Sequence, residues 1–126
     1  MIKKNIREEI EKAKKISQEG DTPSAFDLLM DLLFEAHGGL TFEEEIEIVE
    51  KAYEYLEKIR AKALALREKA ERLLAEGKTA PAFIEAQKSL EIFEKFGTKT
   101  SVSLTRALMV KIYQKQEEEM RKAEKK

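Results

Sequence analysis

The longest hydrophobic pattern in the chain lies between residues 41 and 77, and it predicts a single helix. At a rise of about 1.5 Å per residue this helix is roughly 50 Å long. Its apolar residues are spaced by fours and threes, as an inward helix face requires. They are Phe42, Ile46, Val49, Tyr53, Leu56, Ile59, Ala63, Leu66, Ala70 and Leu73. Ile48, Ala52, Tyr55, Leu64 and Leu74 widen this surface, so contact with several helices is expected rather than a two-stranded coiled coil.

Both ends of the long helix are marked in the sequence. Thr41 followed by Glu44 forms a capping box, which satisfies free amides at a helix start. Gly77 can adopt the left-handed conformation that closes a helix. Between these signals, two successive steps of three residues, from Tyr53 to Leu56 to Ile59, are expected to rotate the apolar stripe. We therefore expect different partners for the two halves of the helix.

Four shorter amphipathic segments predict helices over residues 3–19, 23–36, 80–96 and from about 98–101 to 121. The second of these is apolar in nearly every direction, as a buried helix is. The inward positions of the other three are Ile6, Ile10, Ala13 and Ile16 or Ser17; Phe83, Ala86, Leu90 and Phe93; and Leu104, Leu108 and Ile112, with Val102, Met109, Tyr113 and Met120 as further candidates. Residues 117–126 form a charged tail that is expected to fray.

Glycine and proline positions agree with these boundaries. All five glycines follow a predicted helix and both prolines lie just inside one. In the first turn Thr22 is expected to cap the helix that begins at Pro23, and Thr79 and Pro81 repeat the arrangement. The prediction is an all-α single domain of residues 1–126, a five-helix bundle or short solenoid-like array. Its first two helices pack on the N-terminal half of the long helix and its last two on the C-terminal half.

Composition narrows the class of protein. The chain has no cysteine, which removes disulfides and thiol chemistry and suits a reducing compartment. Basic and acidic residues number 24 and 25, giving a formal net charge of −1, so nucleic acid is not an expected partner. No apolar run is as long as a membrane span, and the charged N-terminus does not resemble a signal peptide. A soluble, cytoplasmic protein is expected.

Candidate chemical groups are few. The single histidine, His37, lies at a helix end, where a capping or solvent role is expected. No spacing suits a metal or cofactor, so we predict no catalytic, metal or cofactor-binding residues and no enzyme activity. The carboxylates of Glu43 and Glu47 are expected on a solvated face. The acidic block at residues 43–50 and the basic block at Arg60, Lys62, Arg67, Lys69 and Arg72 are interpreted in the same way, paired by contacts one turn apart.

The segment Leu29-Met30-Asp31-Leu32-Leu33 has the LxxLL form of coactivator helices. Phe26, Met30 and Leu33 have the spacing of groove-binding helices. Core packing is the preferred interpretation, because exposing this helix would uncover a large apolar patch.

The sequence also contains an internal repeat with an offset of 57 residues between segments 12–26 and 69–83. The matching pairs are Lys12/Lys69, Ala13/Ala70, Glu19/Glu76, Gly20/Gly77, Thr22/Thr79, Ala25/Ala82 and Phe26/Phe83. With the amphipathic run from Gln87 that follows, the second copy resembles a tetratricopeptide repeat, in which a glycine ends one helix and a small alanine follows. The usual period of that family is about 34 residues, so the resemblance is local. The last three helices more loosely resemble three-helix adaptor domains of the MIT type.

The chain resembles a computationally designed helical protein in three features. Its helix ends are regular, it has no cysteine or tryptophan, and its charges are balanced. Two functional hypotheses follow. In the first, the chain is a designed or scaffold-like helical protein without catalytic activity and requires no partner. In the second, it is a protein-interaction module that binds a partner peptide or helix in a groove between helices. A homodimer is also an open hypothesis, because a long helix can leave one end uncovered.

Overall fold

A computed structural model describes residues 5–35 and 38–124 of the protein. Within these ranges the chain forms five α-helices and no strand. They are α1 (Ile6–Gln18), α2 (Thr22–Glu35), α3 (Phe42–Ala75), α4 (Thr79–Phe96) and α5 (Lys99–Glu124). The all-α fold with a long central helix is confirmed, and α3 is one helix of 34 residues. None of the described helices is long and apolar enough to cross a membrane.

The helices divide into two compact units, Met1–Ile59 and Arg60–Lys126, with the boundary inside α3. Unit 1 contains α1, α2 and the first half of α3, and unit 2 contains the second half of α3 with α4 and α5. The predicted division of partners along the long helix is therefore confirmed. Whether the whole chain behaves as a single domain stays a prediction.

The core of unit 1 uses a different face of α3 from the one predicted. Its buried residues are Ile10, Ala13, Ala25, Leu29, Leu32, Ile48, Ala52 and Tyr55. Phe42 and Tyr53, which the pattern placed inside, are 73% and 63% exposed, and Ile46 and Val49 are exposed as well. The predicted inward face was therefore wrong from Phe42 to Tyr53, and so was the rotation inferred from it, whereas Leu56 is partly buried and Ile59 is buried. Both stripes have helical spacing, and α1 and α2 cover only the stripe with Ile48, Ala52 and Tyr55.

Unit 2 matches the predicted pattern more closely. Ala63 and Ala70 of α3 are fully buried, as are Ala82 and Ala86 of α4. Ser89 is also buried, and its hydroxyl donates to the carbonyl of Ala63 at 2.7 Å, which ties α4 to α3. The satisfied hydroxyl makes burial of this polar residue tolerable.

In α5 the buried residues are Thr105, Leu108 and Ile112. The Thr105 hydroxyl donates to the carbonyl of Ser101 at 2.8 Å, so this polar side chain can enter the core. Leu104 was predicted inward, with Tyr113 and Met120 as further candidates, but all three are exposed. The face that α5 presents to the core is thus narrower than its apolar pattern.

Hydrogen bonds at the helix ends explain most boundaries. Thr41 and Glu44 form the predicted capping box, with N–H to side-chain distances of 2.9 and 3.2 Å. Helix α1 starts later than predicted, because Asn5 caps it by accepting from the N–H of Glu8. Thr98 caps α5 by accepting from the N–H of Ser101.

The predicted cap of α2 was wrong by one residue. Asp21, not Thr22, accepts the N–H of Ser24 at 3.1 Å and its hydroxyl at 2.7 Å. A carboxylate can accept both bonds at once, which a threonine hydroxyl cannot do as well. Thr22 instead bonds Ser17 of the preceding helix through its hydroxyl.

The repeat seen in the sequence is also present in the structure. At the end of α1, Gly20 and Asp21 donate to the carbonyls of Ser17 and Ile16. At the end of α3, Gly77 and Lys78 donate to the equivalent carbonyls, those of Leu74 and Leu73. Gly20 and Gly77 both have positive φ, which glycine adopts without strain. Ala13, Ala25, Ala70 and Ala82 are all fully buried beside these turns.

The end of α4 is built differently. Gly97 has an extended conformation, with φ of −96°, so its φ value does not require glycine. A side chain at this position would come within 2.8 Å of the Phe93 carbonyl, and this close approach explains the glycine. The guanidinium of Arg60 donates through Nε to the Phe96 carbonyl at 2.6 Å, which satisfies a free group of the last turn.

The Asp21 cap predicts a pH-dependent loss of stability. The Ser24 hydroxyl and then its N–H lower the pKa of Asp21, so its stabilising contribution is complete above the pKa of an unfolded aspartate, about 3.9. It is lost as the pH falls through the lower folded value. Asp21→Ala should therefore lower the thermal midpoint near neutral pH, with the difference from wild type shrinking below about pH 4. Asp31→Ala, at an exposed position of α2, is the control, and a pH-independent difference at Asp21 would contradict the assignment.

The shared helix α3 predicts cooperative unfolding of the two cores. Leu29 in unit 1 and Ile112 in unit 2 are both fully buried. Replacing either by alanine should reduce the free energy of unfolding by about 2–5 kcal/mol. We expect each variant to shift a single transition in urea, followed by circular dichroism, because α3 contributes side chains to both cores. Two separate unfolding transitions, each shifted by only one of the variants, would instead show that the two units unfold independently.

Candidate docking groove

An open groove lies between the second half of α3 and α5, entirely within unit 2. Its volume is about 500 Å³. The two helices run in the same direction, because each is antiparallel to α4. Along α3 the contacts with α4 are Ala63–Ser89 and then Lys69–Glu85, and along α5 they are Arg106–Glu94 and then Glu119–Thr79. The groove is lined by Arg67, Glu71, Leu74, Ala75, Leu104, Ala107, Leu108 and Lys111. Apolar groups from two helices thus form a surface that a third helix can contact.

The floor of the groove combines small and large apolar residues. Ala75 and Ala107 are the small residues of the floor. Leu108 also belongs to the core of unit 2, and Leu74 packs against that core. Leu104 is 54% exposed and contributes an apolar wall. A surface of this kind suits the apolar face of an amphipathic helix.

Arg67 is the unusual polar group of the site. Its Nη1 nitrogen is buried and has no hydrogen-bond partner among the described residues. Its guanidinium carbon lies 5.4 Å from the ring centre of Phe93, a cation–π contact that holds the group against α4. A buried donor without an acceptor costs about 1–3 kcal/mol. Arg67 also lines the groove, so an acceptor there would meet the side chain that carries this donor.

The other charged groups at the rim are Glu71 and the exposed Lys111. With Arg67, this gives the lining two positive groups and one negative. The rim therefore favours a partner whose flanks are acidic.

The residues that the sequence singled out lie elsewhere. Leu29 and Leu32 of the LxxLL segment are buried in unit 1, and Phe26, Met30 and Leu33 are partly buried against the same core. This burial confirms the core interpretation of that segment. His37 lies outside the described residues. Within those residues, no group of three His, Cys, Asp or Glu side chains is placed to hold a metal ion.

The acidic and basic blocks of α3 were both interpreted as solvated faces, and this holds for only part of them. Glu43 and Glu47 are exposed, as expected. In the basic block, Arg60 bonds Phe96 and Arg67 covers Phe93, so these two arginines belong to the structure of unit 2. Long basic side chains often cover apolar surface in this way, but their spacing on α3 alone does not identify which ones do.

Depressions on α5 explain two other exposed apolar residues. Tyr113 and Met120 line a shallow cavity of about 490 Å³ together with Thr79. The Thr79 hydroxyl donates to the carboxylate of Glu119 at 3.3 Å beside it. Apolar residues of α5 thus lie both in the core and at two surface depressions.

Comparison of the chain with protein-family models, curated proteins and solved structures gives no match.

The unpaired donor of Arg67 predicts an unusual stability change. Arg67→Met keeps much of the apolar stem and removes the buried charge. We expect the free energy of unfolding to rise by up to about 1 kcal/mol. The cation–π contact contributes about 0.5–1 kcal/mol, which is less than the cost of the unpaired donor. Urea titration measures the change, and Lys62→Met on the exposed face of α3 is the matched control. A clear loss of stability specific to Arg67 would show that its Nη1 is satisfied in solution.

Proposed function

We propose that the protein is a non-catalytic helical scaffold and that its groove between α3 and α5 binds a partner helix with acidic flanks. The observation that carries the proposal is the apolar groove with a buried, unpaired arginine donor at its edge. A helix in the groove covers Leu104, and a carboxylate beside it accepts from Arg67. Lys111 adds a second positive group at the rim.

The size of the groove supports a short helical partner rather than a large protein face. Each helix contributes about two turns of lining residues, from Arg67 to Ala75 and from Leu104 to Lys111. Amphipathic helices bind such grooves through apolar residues at intervals of about three and four, and the flanking charges set orientation and specificity. The affinity therefore depends on both the Leu104 wall and the Arg67 donor.

A scaffold role without a required partner is the second proposal. The regular helix ends support it, because the capping box at Thr41 and the left-handed glycines at both repeated turns give well-defined boundaries. Designed origin, tetratricopeptide-like relationship and cytoplasmic location stay predictions of the sequence. In this role the groove carries no ligand.

A labelled peptide tests the first proposal. The probe is an amphipathic helix with leucines on one face and glutamates on its flanks, titrated with the whole chain and followed by fluorescence anisotropy. We expect binding that weakens at least about tenfold, or about 1.4 kcal/mol, in Leu104→Ser and in Arg67→Met. Ile84→Ser is the matched control, because Ile84 is a similarly exposed residue of α4 outside the groove.

A scrambled peptide of the same composition controls for charge alone. If the probe fails to bind, or binds Leu104→Ser as tightly as wild type, the groove is not the binding site. The scaffold role without a partner then stands.

A further inference from the structure

A second apolar surface lies on unit 1, on the half of α3 whose inward face was mispredicted. We call it the α3 stripe, and it consists of Phe42, Ile46, Val49 and Tyr53. All four side chains are exposed, by 73%, 40%, 41% and 63%. A run of large apolar residues on one helix face is unusual for a solvent-facing surface and is typical of a docking site.

The α3 stripe has the spacing of a coiled-coil seam. Its residues alternate in steps of four and three, and the partly buried Leu56 continues the series. Ile46 and Tyr53 then occupy the first core position of each heptad, while Phe42, Val49 and Leu56 occupy the second. At about 1.5 Å per residue the seam is about 21 Å long, enough for two heptads of a partner helix.

The buried face of the same helix is distinct from this seam. Ile48, Ala52 and Tyr55 face the core formed with α1 and α2. Glu11 and Lys14 of α1 act electrostatically on Lys51 and Glu54, which places α1 on a side of α3 that does not carry the stripe. None of the four residues of the α3 stripe belongs to the core of unit 1.

The charges beside the seam select the partner. In a coiled coil, the positions flanking the two core positions decide which helices pair. On α3 the charged residues at these positions are Glu43, Glu45, Glu50 and Glu57, and all four are exposed. The other two flanking positions, Ala52 and Ile59, are buried in the protein itself. Lys51 and Lys58 lie on the opposite side of the helix from the seam.

These glutamates disfavour a second copy of the chain as the occupant. A parallel pair would place Glu45 of one helix near Glu50 of the other, and an antiparallel pair would bring flanking glutamates together as well. Like charges at such positions are destabilising. A helix with lysine or arginine at the same positions instead forms favourable pairs along the full length of the seam.

We propose that the α3 stripe binds a basic amphipathic helix as a heterotypic coiled coil, with Glu43, Glu50 and Glu57 pairing with its lysines or arginines. This site is independent of the groove in unit 2 and selects a partner of opposite charge. Association at this site weakens as salt is added, since exposed charge pairs are screened within about 10 Å at 0.1 M ionic strength.

The probe is a synthetic helix of three heptads with leucine at both core positions and lysine at the flanking positions. It is titrated with the whole chain carrying Leu104→Ser, so that the groove does not contribute. We expect the dissociation constant to rise at least about tenfold in the double variant Ile46→Ser, Val49→Ser. The double variant Ile84→Ser, Val110→Ser removes two similarly exposed apolar residues of unit 2 and should leave binding unchanged.

A charge reversal tests the selection of the partner. The triple variant Glu43→Lys, Glu50→Lys, Glu57→Lys should no longer bind the lysine probe. It should instead bind a matched probe with glutamate at the flanking positions. Glu47→Lys, Glu68→Lys, Glu91→Lys makes the same change in net charge at exposed positions away from the seam, and should retain the lysine probe.

Three results would overturn the proposal. The lysine probe could fail to bind, or it could bind all the variants equally, as a non-specific basic peptide does. Sedimentation could instead show a dimer of the chain near neutral pH that the Ile46→Ser, Val49→Ser variant dissociates, which would assign the seam to a second copy.

Discussion

Close packing of small residues at two equivalent helical hairpins is the contact on which the rest of the structure depends. Ala13 of α1 and Ala25 of α2 both belong to the core of unit 1, and Ala70 and Ala82 hold the equivalent positions of the repeat in the core of unit 2. All four are fully buried, and a larger side chain there would force the helices apart. The left-handed glycines that precede α2 and α4 bring the helices into this contact. Each hairpin then presents an apolar face for a third helix.

The third helix differs between the two units. In unit 1 it is the first half of α3, whose Ile48, Ala52 and Tyr55 complete the core. In unit 2 it is α5, which contributes Leu108 and Ile112. Because α3 supplies the first helix of one hairpin and the covering helix of the other, its sequence has to satisfy both roles. The residues that α3 buries in the two cores nonetheless lie on one continuous face, which includes Ile48, Tyr55, Ile59, Ala63 and Ala70. The exposed α3 stripe lies beside that face and makes the apolar pattern of the helix irregular.

The two surfaces left available differ in shape and in charge. The groove of unit 2 is concave, includes side chains of its own core and carries Arg67 and Lys111 at its rim. The α3 stripe is a convex helix face bordered by glutamates. In both proposed interactions, apolar area supplies the affinity and the surrounding charges exclude partners of like charge. The chain is nearly neutral overall, but the groove is lined by two positive groups and one negative group, whereas the α3 stripe is bordered by glutamates. The net charge alone conceals this difference.

The sequence by itself determined the elements and most of their ends, because those depend on local interactions. The end of α5 is an exception, since the helix continues to Glu124 through residues that were expected to fray. The capping box of Thr41 and Glu44, the turn at Gly77 and the repeat of 57 residues are all found where local patterns place them. The Asp21 cap differs by one residue, since aspartate and threonine are both good caps and only the hydrogen bonds distinguish them.

Only the tertiary structure decided which apolar residues are buried. Phe42, Ile46, Val49 and Tyr53 satisfy helical periodicity as well as Ile48, Ala52 and Tyr55 do, and periodicity does not report which face another helix covers. Small size is not a sufficient signal either, because Ala52 is buried whereas Ala61 and Ala65 of the same helix are exposed. The groove has no comparable signal, since Arg67 and Leu104 are about 37 residues apart and are brought together by the path of α4.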